Sequence, residues 1–153
     1  MELNYGPATA KDLPQMVELL GVLFTDEAEF QPNADKQRRA LEQILTNPTI
    51  GTLYVAREGK RVIAMASLLY TISTAEGGKA AWFEDLVVHP DERKRGIGEA
   101  LLKHVVTQAR AAGITRITLL TDMQNERAQA MYRRAGFVGS PMRPMRLKVK
   151  PAG

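Results

Sequence analysis

Arg93, Lys94 and Arg95 stand directly before Gly96-Ile97-Gly98, and the apolar run Leu86-Val87-Val88 stands seven residues upstream of that basic turn. An apolar strand, a basic turn and two glycines opening an amphipathic helix make a seat for phosphate. A helix N-terminus offers unpaired N–H groups and the positive end of the macrodipole. Glycines at 96 and 98 remove the β-carbons that would hold a phosphate away from the backbone. The three cations add side-chain charge. The spacing predicts a pyrophosphate seat, although glycines alone serve a tight strand-to-helix turn equally well.

Two common nucleotide loops do not fit. A P-loop needs G-x-x-x-x-G-K-(S/T), which occurs nowhere in the chain. A dinucleotide loop needs G-x-G-x-x-G, and Gly96-Ile97-Gly98-Glu99-Ala100-Leu101 puts leucine in the third glycine position. The 153 residues contain no cysteine. Disulfides, thiolate metal sites and a cysteine nucleophile are therefore excluded. Two histidines without clustered carboxylates make no recognisable metal site, and none is expected.

The chain resembles the GNAT acetyltransferase superfamily. Arg93-x-x-Gly96-x-Gly98 matches that family's (Q/R)-x-x-G-x-(G/A) pattern, after an apolar strand ending in Val88-x-Pro90. Asn125-Glu126-Arg127-Ala128-Gln129-Ala130-Met131-Tyr132-Arg133-Arg134-Ala135-Gly136-Phe137 matches a second pattern, N-x-x-A-x-x-x-Y-x-x-x-G-F. In detail the resemblance covers residues 80–137, and the order of elements extends it to the rest.

The resemblance implies transfer of an acetyl group from acetyl-CoA to a primary amine by direct attack. It implies an α/β fold with a central mixed, mostly antiparallel sheet, two splayed parallel strands and about four flanking helices. Coenzyme A would lie in the gap, its pantetheine along the backbone of Leu86, Val87 and Val88. Its pyrophosphate would take the N–H groups from Arg93 through Lys94, Arg95, Gly96 and Ile97 to Gly98, with Glu99 and Ala100 adjacent. Asn125 would face the pantetheine or the reacting centre.

Tyr132 would protonate the departing thiolate, since a phenol pKa of roughly 10 lies not far above a thiol's roughly 8.5. A core aromatic on a helix face is the other reading of Tyr132. Glu84 would drain the amine proton, and a structural hydrogen bond is its equal alternative. Strand alternation puts Glu84 and Asp85 on opposite faces. Phe24, Glu27, Phe30 and Trp82 would shape the acceptor end, or else form an acidic surface loop with buried aromatics.

These residues need elements to hold them. Thr9 and Asp12 have capping-box spacing before an apolar stripe at Leu13, Met16, Val17, Leu20 and Leu23, which predicts a helix. A second helix is expected from Asp35 to Leu45. The stretches 52–57 and 61–74, parted by Glu58-Gly59-Lys60, read as a hairpin. Residues 80–89 read as a buried strand stopped by Pro90. A helix is expected from Gly98 to Ala112, with His104 on its exposed side. A strand over 114–121 follows, then a helix capped by Asn125 and ended by Gly136. Short final strands are expected at 137–139 and 145–150.

At this length one domain over residues 1–153 is expected, burying roughly 70% of its unfolded surface. No leader and no membrane span are visible, so a cytoplasmic protein is expected. The net charge of +4 is uneven, with +7 in residues 127–153 and −3 in the rest. Affinity for nucleic acid through that basic stretch is one reading, but no zinc finger or helix-turn-helix accompanies it, and a solvated face is preferred. A small-molecule amine is the expected acceptor, with a homodimer left open. A protein N-terminus or lysine as acceptor, or a CoA-binding module without turnover, are the alternatives.

Overall fold

The computed structural model describes residues 2–26 and 31–150. One five-stranded sheet runs in chain order: β1 (Leu3–Pro7), β2 (Gly51–Glu58), β3 (Arg61–Ser73), β4 (Gly78–Val88) and β5 (Ile117–Leu119). The first four strands pair antiparallel and β5 joins β4 in parallel. Four α-helices flank it: α1 (Leu13–Asp26), α2 (Ala34–Leu45), α3 (Ile97–Ala111) and α4 (Glu126–Arg134). The mixed sheet and four helices agree with the expected fold.

Strand alternation sends apolar side chains to both faces, and each face has its own core. On one, Met16, Leu19 and Leu20 of α1 and Leu41 of α2 pack on Leu53, Val55, Met65 and Val87. On the other, Leu101, Leu102 and Val105 of α3 meet Ala66, Leu68, Ala81 and Phe83, with Met131 and Tyr132 of α4 alongside. His104 differs from its expected exposed place. Its ring lies half-buried between Tyr5 and Tyr54, with centroids 6.2 and 5.9 Å away, because α3 turns that side toward β1 and β2.

The N-terminal capping spacing forms as expected and does more than cap. Asp12 is buried, accepts from the Thr9 N–H at 2.7 Å, and pairs with Arg57 of β2. Burial by itself would raise this carboxyl. The Arg57 guanidinium and the Thr9 amide outweigh burial and hold it below the ordinary carboxylate range.

Two details of β4 matter for function. Its pairing with β3 runs Met65↔Val87 on one side and Ser67↔Glu84 on the other, so β4 carries one extra residue between them. Asp85 sits there with φ +59°, a left-handed conformation rare outside glycine. Simple alternation of Glu84 and Asp85 therefore fails at this bulge. In addition, β5 pairs only with Ala81, Trp82 and Phe83. From Glu84 to Val88, β4 runs on with no β5 partner, and the two parallel strands part.

The expected final strands do not form. Residues 138–150 belong to no ladder. Alternation supplies the side-chain pattern of a strand, but a strand also needs a neighbouring backbone, and the described residues of this chain place none beside it. Among the described residues no helix is long and apolar enough to cross a membrane.

Candidate active site

The open edge of β4 faces the start of α3. Gly96 has φ +73° and caps α3 without a side chain, so the helix N–H groups after it are left to solvent or a ligand. A β-carbon on Gly96 would meet nothing within 4 Å, so backbone conformation and not space selects glycine there. At Gly98 the reason is different. A β-carbon there would approach Val88 Cγ2 at 3.3 Å, so its absence lets the end of β4 and the first turn of α3 close on each other.

The three cations before Gly96 are not equivalent. Arg95 pairs with Glu58 at 3.1 Å and with Glu92, which also holds Arg61 at 2.6 Å. Its side chain braces the turn against β2 and β3. Arg93 reaches Asp26 at the end of α1 (3.8 Å) and donates to the Val88 carbonyl (3.4 Å). Lys94, exposed and with φ +67°, has no ion pair among the described residues. Of the three, Lys94 is the side chain left to answer an anion, while all three still lend their backbone to the turn.

Ile97 is buried, and Leu86, Val88 and Tyr132 pack against its core cluster. The two sequence motifs thus meet around one core. Asn125 caps α4, its side-chain oxygen accepting from the Ala128 N–H at 3.0 Å. Tyr132 follows on that helix, half-buried, its ring edge-on to Phe137 at 6.0 Å. Burial pushes the Tyr132 phenol above its ordinary value. Among the described residues no hydrogen bond reaches its hydroxyl. Glu99 and Ala100, in the first turn of α3, are partly exposed, and Glu99 is held by Arg134 and Lys103.

Glu84 reaches the same gap from the other face. Phe83 points into the α3 side, so its neighbours Trp82 and Glu84 lie on the α1–α2 side, both exposed. Tyr132 and Glu84 therefore flank the parted strands from opposite faces of the sheet. Phe24 lies in the last turn of α1, which runs further than the expected loop start, and its ring packs into the α1–α2 core. Glu27 and Phe30 lie outside the described residues. A concavity of about 480 Å³ opens beside that end of α1, lined by Glu18, Gly21, Val22, Thr25, Asp26 and Pro32. Neither Tyr132 nor Glu84 lines it.

Sequence reasoning missed Ser67. It is buried in β3, donating to the Glu84 carbonyl at 3.1 Å and to Asp85 Oδ2 at 3.4 Å. It therefore ties β3 to the bulge at Asp85. Its signal was one hydroxyl inside the apolar run Ile63–Leu69. Among the described residues no group of acidic, histidine or cysteine side chains could hold a metal.

The arrangement suits a thioester cofactor carrying a pyrophosphate. An open strand edge can pair with an amide-bearing arm, and the uncapped α3 terminus suits the phosphates.

Known proteins bear on this directly. The sequence profile of the acetyltransferase (GNAT) family matches residues 13–137. An amino-acid acetyltransferase of Ralstonia nicotianae is 32% identical over 131 residues, 86% of this chain and 25% of that protein. One from Pseudomonas putida is 30% identical over 133 residues, 87% of this chain and 27% of that protein. The chain thus spans about a quarter of the length of these curated relatives. An integron cassette protein from the Cole Harbour salt-marsh metagenome superposes with TM-score 0.84 at 25% identity, covering 97% of this chain and 91% of that one. A predicted acetyltransferase from Clostridium acetobutylicum, solved with acetyl-CoA, has the same fold at TM-score 0.78 and 22% identity, covering 97% of each chain. With both motifs on one cleft and the family profile matched through Phe137, the chain belongs to the acetyltransferase (GNAT) family.

Proposed function

We propose that residues 1–153 form a single N-acetyltransferase domain that moves an acetyl group from acetyl-CoA to the primary amine of a small molecule. The observation that carries this reading is the gap beyond Phe83, with Tyr132 on one face and Glu84 on the other. Acetyl-CoA, when bound, supplies the activated acetyl thioester. The backbone of Leu86, Val87 and Val88 would hold its amide-bearing arm, and the turn from Arg93 to Gly98 its phosphates.

Glu84 takes a proton from the incoming ammonium, directly or through water, which frees the nitrogen lone pair. The nitrogen then attacks the acetyl carbon and the carbon–sulfur bond breaks. Tyr132 would give its hydroxyl proton to the leaving sulfur and recover one from the acylated nitrogen, which sheds its second proton as the amide forms. A tyrosine hydroxyl carries its proton at neutral pH, and its place beside the gap supports this role. Glu84 in turn is open to solvent, which supports its losing protons to water between turnovers. With no cysteine in the chain, attack within one ternary complex is the natural course.

The acceptor end opens on the Glu84 and Trp82 face. The names of the relatives support an amino acid, or a similar small amine, as the acceptor. A cytoplasmic setting goes with this reading, since a chain without cysteine gains nothing from an oxidising compartment. The test is thiol release from acetyl-CoA across a panel of amino acids, polyamines, amino sugars and peptides. Release with a small amine and no acetylated enzyme by mass spectrometry is the expected result. Release with peptides alone would move the acceptor to proteins. Tight binding without release to any amine would leave a binding module.

A further inference from the structure

We propose that Asp85 is a further acceptor-side residue of the acetyl transfer: it accepts a hydrogen bond from the acceptor nitrogen while Glu84 takes the proton, and the buried Ser67 hydroxyl positions it. The proposal rests on the acetyltransferase reading of the gap and adds a residue to it.

The bulge decides which face of the sheet Asp85 serves. In a regular strand the side chain after Glu84 would turn to the α3 side. Ser67 shows that this one does not. Ser67 stands opposite Leu53 of β2, and Leu53 lies in the α1–α2 core, as does Met65 two residues before Ser67. The Ser67 side chain is therefore on the α1–α2 side, and Asp85 Oδ2 lies 3.4 Å from its hydroxyl. Beyond the bulge Val87 resumes that face, while Leu86 and Val88 fall on the other. Trp82, Glu84 and Asp85 thus share the face on which the acceptor end opens. Trp82 and Glu84 are exposed there, and Asp85 is half-buried.

Asp85 also stands at the right point along the strand. A cofactor held by its phosphates at the turn from Arg93 to Gly98 runs back along Val88, Val87 and Leu86. Its thioester then arrives beside residues 84 and 85, where β5 has already left β4 after Phe83.

The residue types fit a role for the side chain. A φ of +59° suits glycine, and other residues rarely adopt it. A carboxylate occupies the position instead. Across the sheet, Ser67 is 1% exposed, and a hydroxyl buried that deeply is costly unless it is bonded. Its single proton is shared between the Glu84 carbonyl and the Asp85 carboxylate. A carboxylate has about four acceptor sites, and a shared hydroxyl proton does not saturate them.

A primary ammonium carries three N–H donors. Glu84 takes one as a proton, and a second stays hydrogen-bonded to Asp85, which holds the nitrogen as its lone pair forms. The nitrogen is positive before it loses that proton and again once it has attacked the acetyl carbon. The Asp85 charge therefore favours both states, so its loss weakens amine binding more than turnover.

Asp85→Asn and Asp85→Gly both suit a left-handed backbone, so each removes the charge and leaves the bulge. Kinetics use the fastest acceptor of the panel of amino acids, polyamines, amino sugars and peptides. Each variant is expected to raise the amine KM roughly tenfold or more, with kcat changed far less and the acetyl-CoA KM and melting temperature held. Ser67→Ala is expected to raise the amine KM a few-fold, again without moving the acetyl-CoA KM. A wild-type amine KM in both Asp85 variants overturns the proposal and leaves the acetyltransferase reading standing. So does an equal rise in the acetyl-CoA KM, the mark of a disturbed strand. A wild-type amine KM in Ser67→Ala overturns the positioning by Ser67. A wild-type enzyme that releases no thiol with any amine of the panel overturns the acetyltransferase reading and this proposal with it.

Discussion

Arg134 near the end of α4 donates from Nε at 3.0 Å and Nη2 at 2.7 Å to one carboxylate oxygen of Glu99, in the first turn of α3. Glu99 also holds Lys103 at 3.1 Å. Glu99 directly follows the first sequence motif and Arg134 lies within the second, so this contact ties the proposed phosphate seat to the helix that carries Tyr132. Hydrogen bonds from Arg134 and Lys103 keep the Glu99 carboxyl below its ordinary range.

Arg134→Ala is expected to leave the melting temperature nearly unchanged, because exposed ion pairs contribute little to folding. Its effect falls on alignment. KM for acetyl-CoA should rise a few-fold with kcat falling less, and Arg134→Lys should restore part of the loss. Steady-state kinetics beside a thermal melt checks this, and a wild-type KM would remove the contact from the site.

The two glycines of the turn should respond oppositely to their surroundings. Gly96→Ala forces a β-carbon into φ +73°, which costs about 1–2 kcal/mol although the space is open. Gly98→Ala meets Val88 at 3.3 Å, which a small shift of that side chain can relieve, so its loss should be well under that of Gly96→Ala. Urea unfolding of both variants measures the difference. Equal losses would mean that crowding, and not backbone handedness, governs the turn.

Tyr132→Phe should lower kcat about 100-fold with acetyl-CoA affinity by calorimetry unchanged, the usual scale for loss of a general acid. The acid must be protonated to act. Its folded value is raised by burial, so the alkaline fall in the wild-type rate should be centred above the ordinary tyrosine value. In Tyr132→Phe that alkaline limb should vanish. A limb that survives unchanged belongs to another group.

Asp12 predicts a pH dependence of folding. Its folded pKa is depressed, so its contribution is fully present above the unfolded value of about 3.9 and is lost as pH falls through the lower folded one. Asp12→Asn should cost about 2 kcal/mol at pH 7, because Arg57 is left half-paired beside the Pro7 carbonyl. The penalty should shrink below pH 4. Denaturant midpoints across pH 2–7 test it, and a constant penalty would show that the carboxylate charge is not what stabilises this corner.

Local sequence determined much of this protein. Capping residues, glycines and apolar spacing act over a few residues, so α3, α4, the β2–β3 hairpin and the turn from Arg93 to Gly98 were legible as motifs. The meeting of those motifs on one cleft was legible only through their resemblance to a family. Other features depend on residues far apart in the chain. The bulge at Asp85 is met by Ser67 from across the sheet. The division of labour among Arg93, Lys94 and Arg95 depends on Asp26, Glu58 and Glu92, which only folding brings near. The pattern of 145–150 is that of a strand, yet pairing requires a second backbone, and periodicity carries no information about where that backbone is. Side-chain order is written along the chain, whereas hydrogen-bond partners and desolvation are properties of the assembled space.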